Sequence, residues 1–101
     1  MPTPFGVYYD VIELEIVGRY TLHLTFDDAT QQVIDFEPVL MGPMFGPLRD
    51  QTLFNQVRVN KDTGTIEWSN GADFNPVVLH DWPEHKDKIS AERRQRYAVL
   101  Q

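Results

Sequence analysis

Three observations in the sequence predict an α+β domain. Two adjoining segments alternate apolar and polar residues with a period of two, and a second such pair flanks a glycine-bearing turn. A charged stretch opened by cap residues closes the chain as a helix. The expected order is an antiparallel three-strand meander, a short helix, a second β-hairpin, a short helical turn and a C-terminal helix. Residues 1–80 read as a single α+β domain, and residues 81–101 as a helix or tail appended to it.

In residues 10–17, Ile12, Leu14 and Ile16 share one face, with Glu13 and Glu15 on the other. Residues 19–26 repeat the pattern, with Tyr20, Leu22, Leu24 and Phe26 opposite Thr21, His23 and Thr25. A single polar face is what an antiparallel sheet covered on one side requires. Gly18 and Arg19 fit a tight hairpin loop, and Asp27 to Thr30 a second turn. Val33-Ile34-Asp35-Phe36 makes the third strand, ended by Pro38.

The breaker-rich run from Gly42 to Pro47 reads as a connection, with Pro47 at the first position of a short helix through Phe54. Val57 and Val59 begin the second hairpin, whose turn, Asn60 to Gly64, supplies a glycine where a left-handed residue is wanted. Ile66 and Trp68 return on its inward face. Ser69 to Asp73 is a polar loop, and Asn75-Pro76 caps and opens a helical turn through Leu79. Asp81 and Glu84 have capping-box spacing ahead of a helix from about Trp82 to Tyr97. Its apolar stripe, Trp82, Ile89, Tyr97 and Leu100, is thin, so this helix is expected to be mobile or steadied by docking.

With 101 residues and 11.7 kDa the chain has room for one domain and a modest core. At 42% hydrophobic and 24% charged residues, wholesale disorder is excluded. The absence of cysteine rules out disulfide scaffolds, thiol catalysis and cysteine-based zinc sites. No apolar run approaches the roughly 20 residues of a membrane span, and Met1 to Gly6 does not read as a signal peptide. A soluble, cytoplasmic protein is expected. Net charge is −6, unevenly placed. Residues 1–83 carry four basic against twelve acidic side chains (−8), and residues 84–101 five against three (+2). Such an acidic body disfavours nucleic-acid binding except through the basic tail.

Gly46-Pro47-Leu48-Arg49-Asp50, then Phe54, Val57 and Val59, then Gly64-Thr65-Ile66-Glu67-Trp68-Ser69-Asn70-Gly71-Ala72-Asp73-Phe74-Asn75-Pro76 and Leu79, carry a resemblance. The chain resembles the bacterial family called domain of unknown function 2442 over roughly residues 8–80. The resemblance implies a small α+β domain found alone or ahead of a helix-turn-helix domain. It also implies frequent gene pairing with another small protein, hence a regulatory or toxin–antitoxin-like role. Ala29 departs from that pattern, standing where family turns usually carry glycine, so a turn type suited to alanine is expected. Ser69 stands where proline is usual, which predicts a less rigid loop. Residues 81–101 lie beyond the resemblance and hold no recognition helix.

His80, Asp81, Glu84 and His85 are the densest set of metal-ligating types. Pro83 disfavours the continuous helix that would align them, so cap residues and exposed histidines are the better reading. His23 lacks a nucleophile partner at any recognisable spacing and reads as a surface histidine. Glu13/Glu15 and Asp27/Asp28 read as solubilising or edge-protecting carboxylates. No phosphate-binding loop is present, because Gly42 and Gly46 flank prolines that cannot donate N–H groups. Arg49, Asp50, Trp68, Asn70 and Asp73 form the candidate interaction patch, since Arg and Trp are favoured anchors. Against it stands a fold-building reading: an Arg49 ion pair with Asp73 or Asp50, Trp68 in the core and Asn70-Gly71 as turn formers.

The sequence thus points to a non-enzymatic, protein-binding regulatory module, antitoxin-like, with no cofactor or metal. Its expected partner is another protein or a second copy of itself. The alternatives are a small metal-dependent or hydrolytic enzyme, and a nucleic-acid-associated regulator using the tail.

Overall fold

The computed structural model describes residues 2–3, 6–7 and 9–97, the first four as backbone alone. Leu100 of the expected helix stripe, and Met1, Pro4 and Phe5 of the N-terminal segment, lie outside the described residues. β1 (Pro2–Thr3) and β2 (Gly6–Val7) form a short antiparallel pair not anticipated from the sequence. The meander follows as β3 (Val11–Gly18), β4 (Thr21–Phe26) and β5 (Gln31–Asp35), antiparallel in that order.

Alternation decides the central strand cleanly: Leu22, Leu24 and Phe26 are buried against the core, with Ile34 beside Leu22 on β5. The edge strand β3 departs from expectation. Its register shifts twice, between Val11 and Glu13 and between Ile16 and Gly18. Ile12 and Glu13 together oppose Thr25, so Ile12 leaves the inward set and Val11 is buried in its place. Leu14 stays inward opposite Leu24, while Ile16, opposite Leu22, remains exposed on an edge strand with one neighbour.

Two turns hold non-glycine residues in left-handed backbone. Tyr20 (φ 57°) belongs to the β3–β4 turn rather than to the strand, yet its ring is buried and its hydroxyl donates to the Arg49 carbonyl. Ala29 (φ 71°) overturns the expectation of an alanine-suited turn. The β4–β5 connection keeps the left-handed geometry because its closing bonds, Ala29 N to Phe26 O and Phe26 N to Thr30 O, require it. Left-handed backbone costs an alanine about 1–2 kcal/mol.

The connection after β5 is helical where a loop was expected. It comprises a 3₁₀ turn over Glu37–Val39, α1 (Gly42–Phe45) and a second 3₁₀ turn over Gly46–Arg49. The single helix expected through Phe54 is broken at Asp50, whose extended backbone (ψ 113°) lets its carboxylate cap α2 (Gln51–Phe54) at Thr52 N, 2.9 Å. The second hairpin, β6 (Arg58–Asn60) and β7 (Thr65–Glu67), forms as expected. Gly64 has φ +74°, and a Cβ there would collide with the Asp10 carboxylate. The Gly64 carbonyl accepts from Val11 N at 2.8 Å, which stitches this hairpin to β3.

α3 (Pro76–His80) is capped by Asn75, and α4 (Trp82–Tyr97) closes the fold. The expected capping box is not formed. The Asp81 main-chain oxygen accepts from Glu84 N, while its carboxylate is engaged by His80. α4 docks onto its own chain through buried Trp82, partly buried Ile89 and Arg93, which donates to the Val39 carbonyl at 2.6 Å.

All these elements meet at Phe36. Its ring lies 5.4 to 6.2 Å from Phe54, Trp68, Phe74 and Trp82, which come from α2, the second hairpin, the following loop and α4. Phe36→Ala is expected to destabilise the protein by about 3–5 kcal/mol in urea unfolding, because the fully buried ring leaves a cavity among the four aromatic side chains that meet it. Ala29→Gly should instead stabilise it by roughly 1 kcal/mol, the relieved strain exceeding the added unfolded-state entropy.

Candidate functional site

The structure does not use the five patch residues alike. Arg49 donates through Nε to the Leu40 carbonyl (2.8 Å) and through Nη2 to Glu37 O (3.3 Å), tying down the turns after β5. Among the described residues it forms no ion pair with Asp50 or Asp73. Asp50 caps α2, and Trp68 is buried with its indole N–H donating to Phe54 O at 2.9 Å. Asn70 accepts from Ala72 N and donates to the Met44 carbonyl, so the loop carrying Ser69 is anchored to α1; Ser69 itself donates to Gln56. Asp73 is exposed and pairs by its backbone with Glu67. Arg49, Asp50, Asn70 and Asp73 remain exposed at the surface.

A second surface emerges on the meander. The face turned away from the core carries the cross-strand row Glu15, His23 and Val33. His23 Nε2 donates to Gln31 Oε1 at 2.8 Å, and Nδ1 lies 4.0 Å from Glu15. Val33 is 64% exposed, Ile12 54% and Val17 49%, and Ile16 at the neighbouring edge is 42% exposed. Four aliphatic side chains therefore face solvent on one small sheet. Within the described residues the outer edge of β3 beyond Val11 pairs with no other strand.

His80 overturns the expectation of an exposed histidine. Only 12% of its side chain is accessible, and both ring nitrogens are engaged. Nδ1 meets Asp81 Oδ1 at 2.7 Å, and Nε2 meets Asp28 Oδ2 at 2.8 Å, with Thr30 Oγ1 at 3.2 Å. Tyr9 stacks on the imidazole with centroids 3.5 Å apart and an interplanar angle of 4°, and Phe26 meets it edge-on. Burial alone lowers the His80 pKa, but bonds to Asp81 and Asp28 outweigh it and raise the value above 6.5. Asp28 is held down at about 2, first by the Thr30 backbone N–H and then, against the cost of burial, by His80.

Both ring nitrogens face carboxylate oxygens, an arrangement that favours the protonated imidazole and accounts for the raised pKa. The ring nitrogen that reaches Thr30 at 3.2 Å is engaged more closely by Asp28 at 2.8 Å, so it is not free to activate Thr30, although Thr30, His80 and Asp81 share the connectivity of a nucleophile–base–acid set. The cluster is an electrostatic clasp joining the β4–β5 turn to the α3–α4 junction. Asp28 and His80 are 52 residues apart, and the sequence offers no signal for their meeting. Glu84 and His85 do not join them, and no metal-binding group of three His, Cys, Asp or Glu occurs among the described residues.

Residues 11–85 match a family model described as a protein of unknown function, DUF2442. No curated protein and no solved structure matches the chain.

The clasp sets a pH dependence with two limbs. The Asp28 contribution is complete above 3.8 and lost as pH falls toward about 2. The His80 contribution is complete below 6.5 and lost as pH rises through its raised value. The urea midpoint of the wild type should therefore fall as pH is raised above 6.5, and His80→Gln should flatten that limb. Parallel curves for the two proteins would contradict the clasp.

Proposed function

The chain belongs to the DUF2442 family of proteins of unknown function, and on that footing we propose that it is a non-enzymatic protein-binding module with a regulatory, antitoxin-like use. The observation that carries this reading is the cluster of Ile12, Ile16, Val17 and Val33 exposed on the meander beside the open edge of β3. Exposed aliphatic side chains close together on a small sheet mark contact surfaces, Ile16 standing on the core-facing row and Val33 on the outward row, and an open strand edge accepts a further strand. Glu13 and Glu15 lie on the same strand, so the partner best suited brings an apolar strand flanked by basic side chains. The exposed members of the Arg49, Asp50, Asn70 and Asp73 set offer a second contact point.

Catalysis is the weaker reading because the densest titratable cluster is closed upon itself, both ring nitrogens of His80 being engaged by carboxylates. Nucleic-acid binding is weaker for a geometric reason. At about 100° per residue, Lys86, Lys88, Arg93, Arg94 and Arg96 spread over about 240° of α4, wider than one face, and Arg93 is engaged by the Val39 carbonyl. No helix among the described residues is long and apolar enough to cross a membrane.

The test is capture of partners from host lysate with tagged wild type and with the Ile16→Asp/Val33→Asp variant, which changes only exposed positions. A protein captured by the wild type and lost by at least tenfold with the variant is the expected result. Capture insensitive to the variant but abolished in a folded Arg49→Ala protein would transfer the contact to the Arg49 set. Light scattering identifies a second copy as the partner if the wild type is dimeric and the variant monomeric. A monomeric wild type that captures nothing sinks the proposal.

A further inference from the structure

Away from the meander, α1 and α4 enclose an open groove of about 840 Å³. Met41, Pro43, Met44 and Phe45 form one wall, and Ile89, Arg93, Arg96 and Tyr97 line the other. Gly42 makes this approach possible: at φ +93° a Cβ there would lie 2.8 Å from the Tyr97 ring. The size is that of a small-molecule site, as is the lining of flexible and aromatic apolar side chains with a few charges.

Arg93 gives the groove its chemistry. It is half-buried, its guanidinium carbon lies 4.3 Å from the Phe45 ring centroid and 5.4 Å from that of Phe74, and Nη1 donates to Val39 O. Burial pushes this guanidinium below its usual range. Guanidinium has five N–H donors, and among the described residues Nε and Nη2 bond to nothing. Among the described residues no buried side-chain nitrogen lacks a partner, so these residues leave the two atoms accessible. No carboxylate pairs with Arg93 among the described residues. Arg96 adds a second cation to the wall, against the single acid Glu92. Part-buried guanidinium without a counter-ion, beside an apolar trough, favours a ligand that supplies a carboxylate and an apolar body together.

We propose that the α1–α4 groove binds a small amphipathic carboxylate, its head group on Arg93 and Arg96 and its apolar tail along Met41, Met44, Phe45 and Tyr97. This site is separate from the meander surface, and neither reading depends on the other. The head group takes the planar fork of Arg93 in preference to a bulkier anion because Phe45 and Phe74 fix the plane of that fork.

The probe is decanoate, titrated into isotopically labelled full chain and followed by amide chemical shifts at neutral pH. Saturable shifts are expected at Gly42, Phe45, Arg93 and Tyr97, with Kd on the order of 1 mM or tighter for a ligand of this size. Decyltrimethylammonium, with the same tail and the opposite charge, should bind at least tenfold more weakly. Arg93 itself holds α4 in place, so the variants are Arg96→Gln and Met44→Asp, both at exposed positions. They should weaken decanoate several-fold and at least tenfold respectively while leaving the circular dichroism spectrum unchanged. Equal binding of the cationic analogue overturns the proposal. So do shifts centred on Ile12, Val17 and Val33, indifference to Met44→Asp, or the absence of saturation.

Discussion

One ring holds this chain together. Phe36 follows β5 directly, and its backbone N–H donates to the Tyr20 carbonyl at 2.8 Å, so its position is tied to the meander before any packing begins. Phe54, Trp68, Phe74 and Trp82 then close around it from four other parts of the chain. A protein of this size buries little surface overall, and large aromatic side chains gather the most burial per residue. Among the described residues the meander and the second hairpin are small, separate sheets. Their relative placement rests on this shared aromatic core and on the bond from Val11 to Gly64.

Around that core the polar side chains do structural work over long distances. Arg49 gathers the carbonyls of Glu37 and Leu40. Asn70 reaches Met44, and Arg93 reaches Val39. His80 holds the β4–β5 turn against the α3–α4 junction, roofed by Tyr9. Each satisfies carbonyls or carboxylates that short, irregular helices leave without regular partners. Two surfaces stay outside this web: the exposed aliphatic side chains of the meander, and the groove beside α4, whose Arg93 guanidinium has no ion pair among the described residues.

Much of the architecture was legible from local pattern. Leu22, Leu24 and Phe26 declared the central strand by period two, and Asn75-Pro76 and Gly64 declared a cap and a turn by their backbone chemistry. The edge strand was misread because bulges do not alter composition: an extra residue at Ile12 exchanges faces without changing the alternation seen in the text. The helix through Phe54 was misread because Asp50 works both as a helix residue and as a cap, and only the packed turn around Arg49 selects the cap. Capping-box spacing at Asp81 and Glu84 was present, but the carboxylate found a stronger partner in a neighbouring imidazole. Of the proposed surfaces, the patch residues were visible as types, whereas the exposed aliphatic group and the groove were not.

By itself, the sequence determined the α+β class, the order of the meander, the second hairpin and the last two helices, the membership of most of the core and the family resemblance. These follow from periodicity, turn chemistry and motif spacing, all of which act between residues close in the chain. Tertiary structure alone decided that α4 docks on its own chain through Arg93, that His80 is held, largely covered, between Asp28 and Asp81, and that Ile12, Val17 and Val33 are left to solvent. Those outcomes depend on which distant groups become neighbours once the aromatic core has closed. Desolvation and long-range pairing act only between groups that folding has brought together.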